Sequence, residues 1–334
     1  MNTTDAVPAA GAVNSASAKN TAGSPELFAL RLAISRLGFL SFAEKKLLEK
    51  KLDTVSRLAL LSIDDLSLLI GRVIDTKLWR TQDAERLADS DQKIMAAFRI
   101  AVMFYDDPLW PPLLNEIYDP PYALFYRGNP AVLTPQKKAC VSIVGTRRPT
   151  GRGMRSTADL AFALAEKGCT VVSGLALGTD ACAHSGALRS AAGKTAAVLG
   201  SGVDTITPVS NKNIAAAILN SDGCILSEYA PGVGAEKWHF PQRNRIISAL
   251  SAATVIMEAP AGSGALITAD FALEQNRELC FHTCALDYPE APSAKPLSAA
   301  KKRRQVKNYI EEGARIVSDA QDVLSLLAPE YVEL

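Results

Sequence analysis

The chain has 334 residues, 48% hydrophobic and 21% charged, an ordinary globular composition with length for one large and one small domain. Lys and Arg number 36 against 35 Asp and Glu, so a net charge of +1 exerts no global pull toward nucleic acid or membrane. Any anion site must be local. No apolar run reaches the ~18 residues of a membrane span, and the amino terminus lacks a signal-peptide pattern, so a cytoplasmic protein without membrane contact is expected.

Residues 1–25 are small and polar without periodicity and read as a disordered tail. Over 26–100 apolar residues recur at helical spacing in LFALRLAISRLGFL, FAEKKLLEKKL and VSRLALLSIDDLSLLIGRVI, with Gly38 and Ser62 as breaks. A small all-helical domain is expected there. Pro108, Pro111, Pro112, Pro120 and Pro121 then mark a connector that holds one short strand, YALFYRG. From there to about 330, the strand candidates ACVSIVG, CTVVSG, TAAVLG, CILSEY, ATVIMEA and ELCFHT alternate with amphipathic helices. That rhythm predicts an α/β fold, Rossmann-like, with a mostly parallel sheet covered on both faces.

In such sheets ligands bind beyond the carboxyl ends of the strands. Four strand ends carry small or hydroxylated residues: Gly145 and Thr146 with Arg147 and Arg148; Ser173 and Gly174; Gly200, Ser201 and Gly202; and the run Pro260-Ala261-Gly262-Ser263-Gly264. One such turn is no more than a tight turn needs. Four at equivalent positions suit a phosphate backbone. The stretch FPQRNRIISAL adds Arg243, Asn244 and Arg245 at the expected lip of the strand ATVIMEA. The bland alternative makes each of these arginines a brace to Glu228 or Glu258. Lys137, Lys138, Arg147, Arg148, Arg152 and Arg155 against Asp159 alone make the first turn locally basic, whereas KKRR at 301–304 reads as a solvated loop.

Other patterns are weaker. The six cysteines are dispersed and read as reduced core residues; Cys280, His282 and Cys284 have strand spacing but no fourth ligand cluster, so no metal is expected. GALRSAAGKT has Leu188 where a P-loop needs glycine, and GSGVDT lacks the third glycine of a dinucleotide fingerprint, so no nucleotide cofactor is expected. His184 lies in a predicted helix without a paired nucleophile and reads as a packing or hydrogen-bonding residue.

The succession VGTRRPT, SGLALGTDACAHSGAL, AAVLGSGVD, LSEY, FPQRNRIISALS, VIMEA and SGALITADFALEQNR, over about 103–325, resembles the DNA-processing protein A (DprA, also called Smf) family. The resemblance implies an extended Rossmann fold after a SAM or helix-hairpin-helix-like domain. It also implies binding of single-stranded DNA, protection of incoming DNA in natural transformation, loading of RecA recombinase and a homodimer. It carries DNA contact onto Gly145, Thr146 and Arg147, onto Ser173 and Gly174, onto Gly200, Ser201 and Gly202, onto Arg243, Asn244 and Arg245, and onto Ser263, Gly264 and Thr268, with no catalytic residue. Thr207-Pro208-Val209 departs from the family's Tyr-Pro with a basic residue close behind, with Lys212 as the substitute cation. Thr283-Cys284-Ala285 replaces its proline-glycine, and the chain is expected to carry no carboxy-terminal winged helix. The rival function is a nucleotide N-glycosidase of the phosphoribohydrolase kind. Its PGGxGTxxE motif meets Ala261 and Ala265 here and no carboxylate at its acidic position, leaving Glu258 as the nearby acid.

Overall fold

The computed structural model describes residues 24–75, 80, 83–134, 139–288 and 304–327. The tail expected over 1–25 lies outside these apart from Ser24 and Pro25, as do Lys137, Lys138 and the first three residues of KKRR. Ser24 accepts the Leu27 amide and starts α1 (Pro25–Ser35). Next come α2 (Phe42–Lys51), α3 (Val55–Leu60), α4 (Ile63–Ile70) and α5 (Asp83–Phe98). Each of the first four is started by a hydroxyl that accepts an otherwise orphaned amide, and Ser41 with Glu44 forms a reciprocal capping box. Gly71, at φ 81, ends α4 in the left-handed region.

After α5 the chain lays down β1 (Ala101–Phe104), β2 (Ala123–Gly128) and β3 (Cys140–Val144). It continues through α6 (Gly151–Glu166), β4 (Thr170–Ser173), α7 (Thr179–Ala187), β5 (Lys194–Val198), α8 (Lys212–Asn220) and β6 (Cys224–Ser227). Then come α9 (His239–Ala249), β7 (Ala253–Ile256), α10 (Gly264–Glu274), β8 (Glu278–His282), α11 (Val306–Glu311), β9 (Arg315–Val317) and α12 (Ala320–Ser325). The described strands form one sheet in the order β1-β2-β6-β5-β4-β3-β7-β8-β9. All pairs are parallel except β1 with β2 and β2 with β6.

The sheet therefore has the expected Rossmann-like α/β form, with three departures from the sequence reading. The short runs β1 and β9 went unrecognised, since four apolar residues before a proline-rich stretch and three residues of RIV carry little periodicity. FPQRNRIISAL is helix α9, so Arg243, Asn244 and Arg245 leave the axis about 100° apart instead of lying side by side. In CFHTC, β8 ends at His282, whose Nδ1 accepts the Cys284 amide at 3.1 Å while Nε2 lies 3.1 Å from the Ser318 carbonyl. No group of His, Cys, Asp and Glu suited to a metal occurs among the described residues, and no described helix is long and apolar enough to cross a membrane.

Strand alternation sets the layers. In β3, Val141 and Ile143 join the apolar cluster of α6 and α7, whereas Cys140 and Val144 join that of α9 and α10. The amino-terminal helices share a cluster with the sheet: Leu30, Ile34, Leu48 and Leu66 pack in one core with Phe104, Phe125, Leu199 and Ile225. Polar ties pin this layer down. Arg36 bonds the fully buried Asp91 at 2.7 and 2.5 Å and the Pro231 carbonyl at 2.8 Å, and Tyr122 donates to Glu49 at 2.6 Å.

Removing the Arg36 guanidinium strands a buried carboxylate. Arg36→Ala is expected to lower unfolding free energy by about 3–5 kcal/mol, read from the urea midpoint at unchanged slope. Arg36→Ala with Asp91→Leu should regain a large part of that loss.

Candidate nucleic-acid interface

Strand order reverses beside β3, with β4 on one side and β7 on the other, and a cavity of about 630 Å³ lies at their carboxyl ends. Gly145, Thr146, Arg147, Arg243, Asn244, Ser263, Gly264 and Thr268 line it, so the structure brings eight of the fifteen expected site residues together. Gly174, Gly200 and Ser201 line a smaller depression of about 90 Å³ that shares Arg147, Ala176 and Phe240 with the first. Ser173, Gly202, Lys212 and Arg245 line neither of these two cavities.

The first turn is held by its own backbone. Thr146 N–H donates to the Glu258 carbonyl at 2.7 Å, and its carbonyl accepts from the Thr179 amide and hydroxyl at 3.1 and 3.0 Å. A Cβ on Gly145 would lie 2.6 Å from Thr179 Oγ1, so close approach requires glycine here. Arg147 is exposed, with its guanidinium 5.2 Å from the centre of the Phe240 ring and no carboxylate in ion-pairing reach among the described residues. Its charge is available to a ligand.

The other two arginines are committed to the protein. Arg243 is buried; its Nη1 donates to the Gly174 carbonyl at 2.7 Å and also to the Val198 carbonyl. Burial, partly offset by Asp180, brings its guanidinium down to about 10. Arg245 points to the opposite side of α9, where Nη2 bonds both oxygens of Glu228 at 2.7 and 2.6 Å and Nε lies 3.4 Å from Asp119. The brace to Glu228 is thus realised for Arg245, and Arg243 braces carbonyls instead of a carboxylate. The sequence reading put both at a groove lip because it took the stretch as the approach to a strand.

The second and third turns are largely satisfied internally. Asp180 Oδ2 accepts the Gly174 and Ala176 amides at 3.2 and 3.3 Å, and Ser173 donates its hydroxyl to the Ile143 carbonyl at 2.7 Å. Ser201 donates to the Thr205 carbonyl at 2.8 Å, and Gly202 N–H to the Val233 carbonyl at 2.8 Å. Lys212 is exposed at the first residue of α8. The fourth turn differs. Ser263 occupies the N-cap of α10 yet caps no amide, and its Oγ is buried without a partner, so the helix start stays open toward the cavity. An open helix N-terminus attracts anions through its free N–H groups and its dipole.

Of the nine lining residues that the sequence reading did not assign to the site, three carry a charge or an aromatic ring: Asp180, Lys237 and Phe240. Lys237 and Phe240 stand in KWHFPQRNR, where a cation interleaved with aromatics was a readable sign of nucleic-acid contact. Asp180 is buried, and burial raises its pKa against the pull of Arg243. Glu258 is engaged elsewhere: it accepts the Thr150 amide at 2.6 Å and the Thr150 hydroxyl at 2.5 Å beneath the start of α6, and it does not line the cavity. The acid nearest to the N-glycosidase reading is therefore a helix brace. His184 is buried against Thr195 at 2.7 Å, and burial drives its pKa to about 3, which keeps the ring neutral.

The model of the family described as DNA recombination-mediator protein A matches residues 101–328, from β1 through α12 and across the whole cavity. This chain belongs to that family. Among members of the DprA/Smf family it is 43% identical to Protein Smf of Synechocystis over 66% of the chain and 52% of the relative, so it spans about half that relative's length. It is 40% identical to DNA processing protein DprA of Streptococcus pneumoniae over 66% of the chain and 71% of the relative. The solved structure of the pneumococcal DprA matches with a TM-score of 0.68 at 31% identity, covering 89% of this chain and 96% of that one. The structure of DNA processing protein A from Helicobacter pylori, described for its single-stranded DNA binding mode, matches with a TM-score of 0.55 at 29% identity. It covers 67% of this chain and 94% of that one.

The arginines should separate by experiment. Arg243→Ala leaves two buried carbonyls without their donor and is expected to cost about 2–4 kcal/mol of stability. Arg147→Ala should melt within a degree or two of the parent, since its guanidinium is exposed and carries no brace, by differential scanning calorimetry.

Proposed function

We propose that this chain binds single-stranded DNA at the carboxyl edge of the sheet, protects incoming DNA during natural transformation and helps load RecA recombinase onto it. The observation that carries the proposal is the meeting, in one cavity, of unpaired Arg147, Lys237 and the open N-terminus of α10 with the apolar walls Val144, Phe240 and Ile247. Cations and amides suit phosphates, and an aromatic wall suits a base. The reading is supported by the family's description as recombination mediators and by the single-stranded DNA binding ascribed to the Helicobacter relative.

In this reading Gly145, Thr146, Arg147, Asn244, Ser263, Gly264 and Thr268 contact the strand directly. Gly174, Gly200 and Ser201 form a shallow continuation, with Lys212 and the turn residues Ser173 and Gly202 at its margin. Arg243 and Arg245 contribute by fixing α9. The chain acts in the cytoplasm as a homodimer without cofactor or catalytic group, and residues 26–100 form a helical domain ahead of the DNA-binding one at 101–330.

Phosphate contacts without base reading give sequence-tolerant binding that weakens with salt. Fluorescence anisotropy with labelled oligo-dT and labelled duplex across a salt series is expected to show preference for the single strand and a negative salt slope. No binding at low salt sinks the proposal. Arg147→Ala should weaken binding by about 1–3 kcal/mol and make the slope shallower by about 1.

A further inference from the structure

A second large cavity, about 520 Å³, opens at the carboxyl end of β6 between α9 and the amino-terminal helices. Phe39 and Phe42 line it together with Tyr229, Trp238 and His239. The Tyr229 and His239 rings stack at 3.8 Å, and Trp238 meets His239 edge-on at 4.1 Å. Trp238 is nevertheless 56% exposed, and its indole N–H is held by Glu236 at 2.5 Å. A large aromatic surface fixed in place and left bare at a cavity mouth is shaped to take a flat partner.

The charges around this cavity balance: Arg36, Lys45 and Arg245 against Asp119, Glu228 and Glu236. The space therefore favours an uncharged ring over a phosphate. The two large cavities share no lining residue, but neighbouring groups at the carboxyl edge bridge them. The small depression at the ends of β4 and β5 shares Arg147 and Phe240 with the first cavity and reaches Gly200, whose carbonyl lies 3.0 Å from His239 Nδ1. Lys237, which lines the first cavity, is the neighbour of Trp238 in the chain. From β3 to β6 is three strand spacings in the sheet order, ~14 Å at ~4.8 Å each. A single strand at a duplex-like ~3.4 Å per nucleotide covers that in about four nucleotides.

We propose that the carboxyl edge is one continuous track for single-stranded DNA, in which a nucleobase beyond those held in the first cavity stacks on Trp238 at the mouth of the second. This rests on the DNA-binding reading above and adds a subsite to it. The backbone passes over Lys237, and the base leaves the charged part of the track for the aromatic one.

The test pairs anisotropy with tryptophan emission, using the full chain and an oligo-dT of about a dozen nucleotides, long enough to span the track. The wild-type protein should bind with quenched emission. Trp238→Leu should lose the quenching and bind about tenfold more weakly, the loss expected for one base stack. Trp238→Phe should lose the quenching yet stay within about twofold of wild-type affinity, because the stack survives, and it serves alone if the leucine variant fails to fold. Unquenched wild-type emission at saturation, full quenching in Trp238→Phe, or wild-type affinity in Trp238→Leu each overturns the stacking subsite while leaving the first cavity as the DNA site. Absence of any binding by the wild-type protein removes the DNA-binding reading as well.

Discussion

The guanidinium of Arg243 reaches from α9 to the carbonyls that end β4 and β5, at Gly174 and Val198. Both carbonyls are buried, and a buried acceptor without a donor is costly. One cation satisfies both and so sets the height of α9 above the sheet. The positions of Phe240, Asn244 and Ile247 along one wall of the cavity follow from that setting. On the opposite face of the same helix, Arg245 and Glu228 tie α9 to the end of β6. The helix is held from two sides.

Most polar groups around the cavity are spent on the protein itself. Asp180 takes amides of the second turn, Glu258 takes the start of α6, and the Thr268 hydroxyl donates to the Gly264 carbonyl at 3.3 Å. Among the described lining residues, the groups left without a hydrogen-bond or ion-pair partner include the Arg147 and Lys237 side chains, the open start of α10 and the buried Arg243 Nε. A net charge of +1 for the whole chain is compatible with an anion site because so few groups have to supply it.

The parallel strands were legible because buried strands read as continuous β-branched runs, and the position of the main cavity agrees with the rule that ligands sit at carboxyl ends. What failed was direction. Residues 243 to 245 are adjacent in sequence, and only the helical twist separates them into a brace to carbonyls, a cavity-facing amide and a brace to Glu228. Composition cannot distinguish a guanidinium awaiting phosphate from one bound to a carbonyl. Asp180 was invisible for a related reason: it lies in a helical run, and the amides it accepts belong to the turn before it.

The close approach at Gly174 has a consequence for how this edge can change. A Cβ at that position would lie 2.5 Å from the Arg243 guanidinium, against a side chain whose donors are fixed by two carbonyls. Positions 174 and 243 therefore form a ratchet in sequence space. While arginine occupies 243, any side chain at 174 collides with it, and once 243 is shortened the room it vacates admits side chains that block its return. Drift at this turn is ordered in time, with the helix residue moving first and the glycine following.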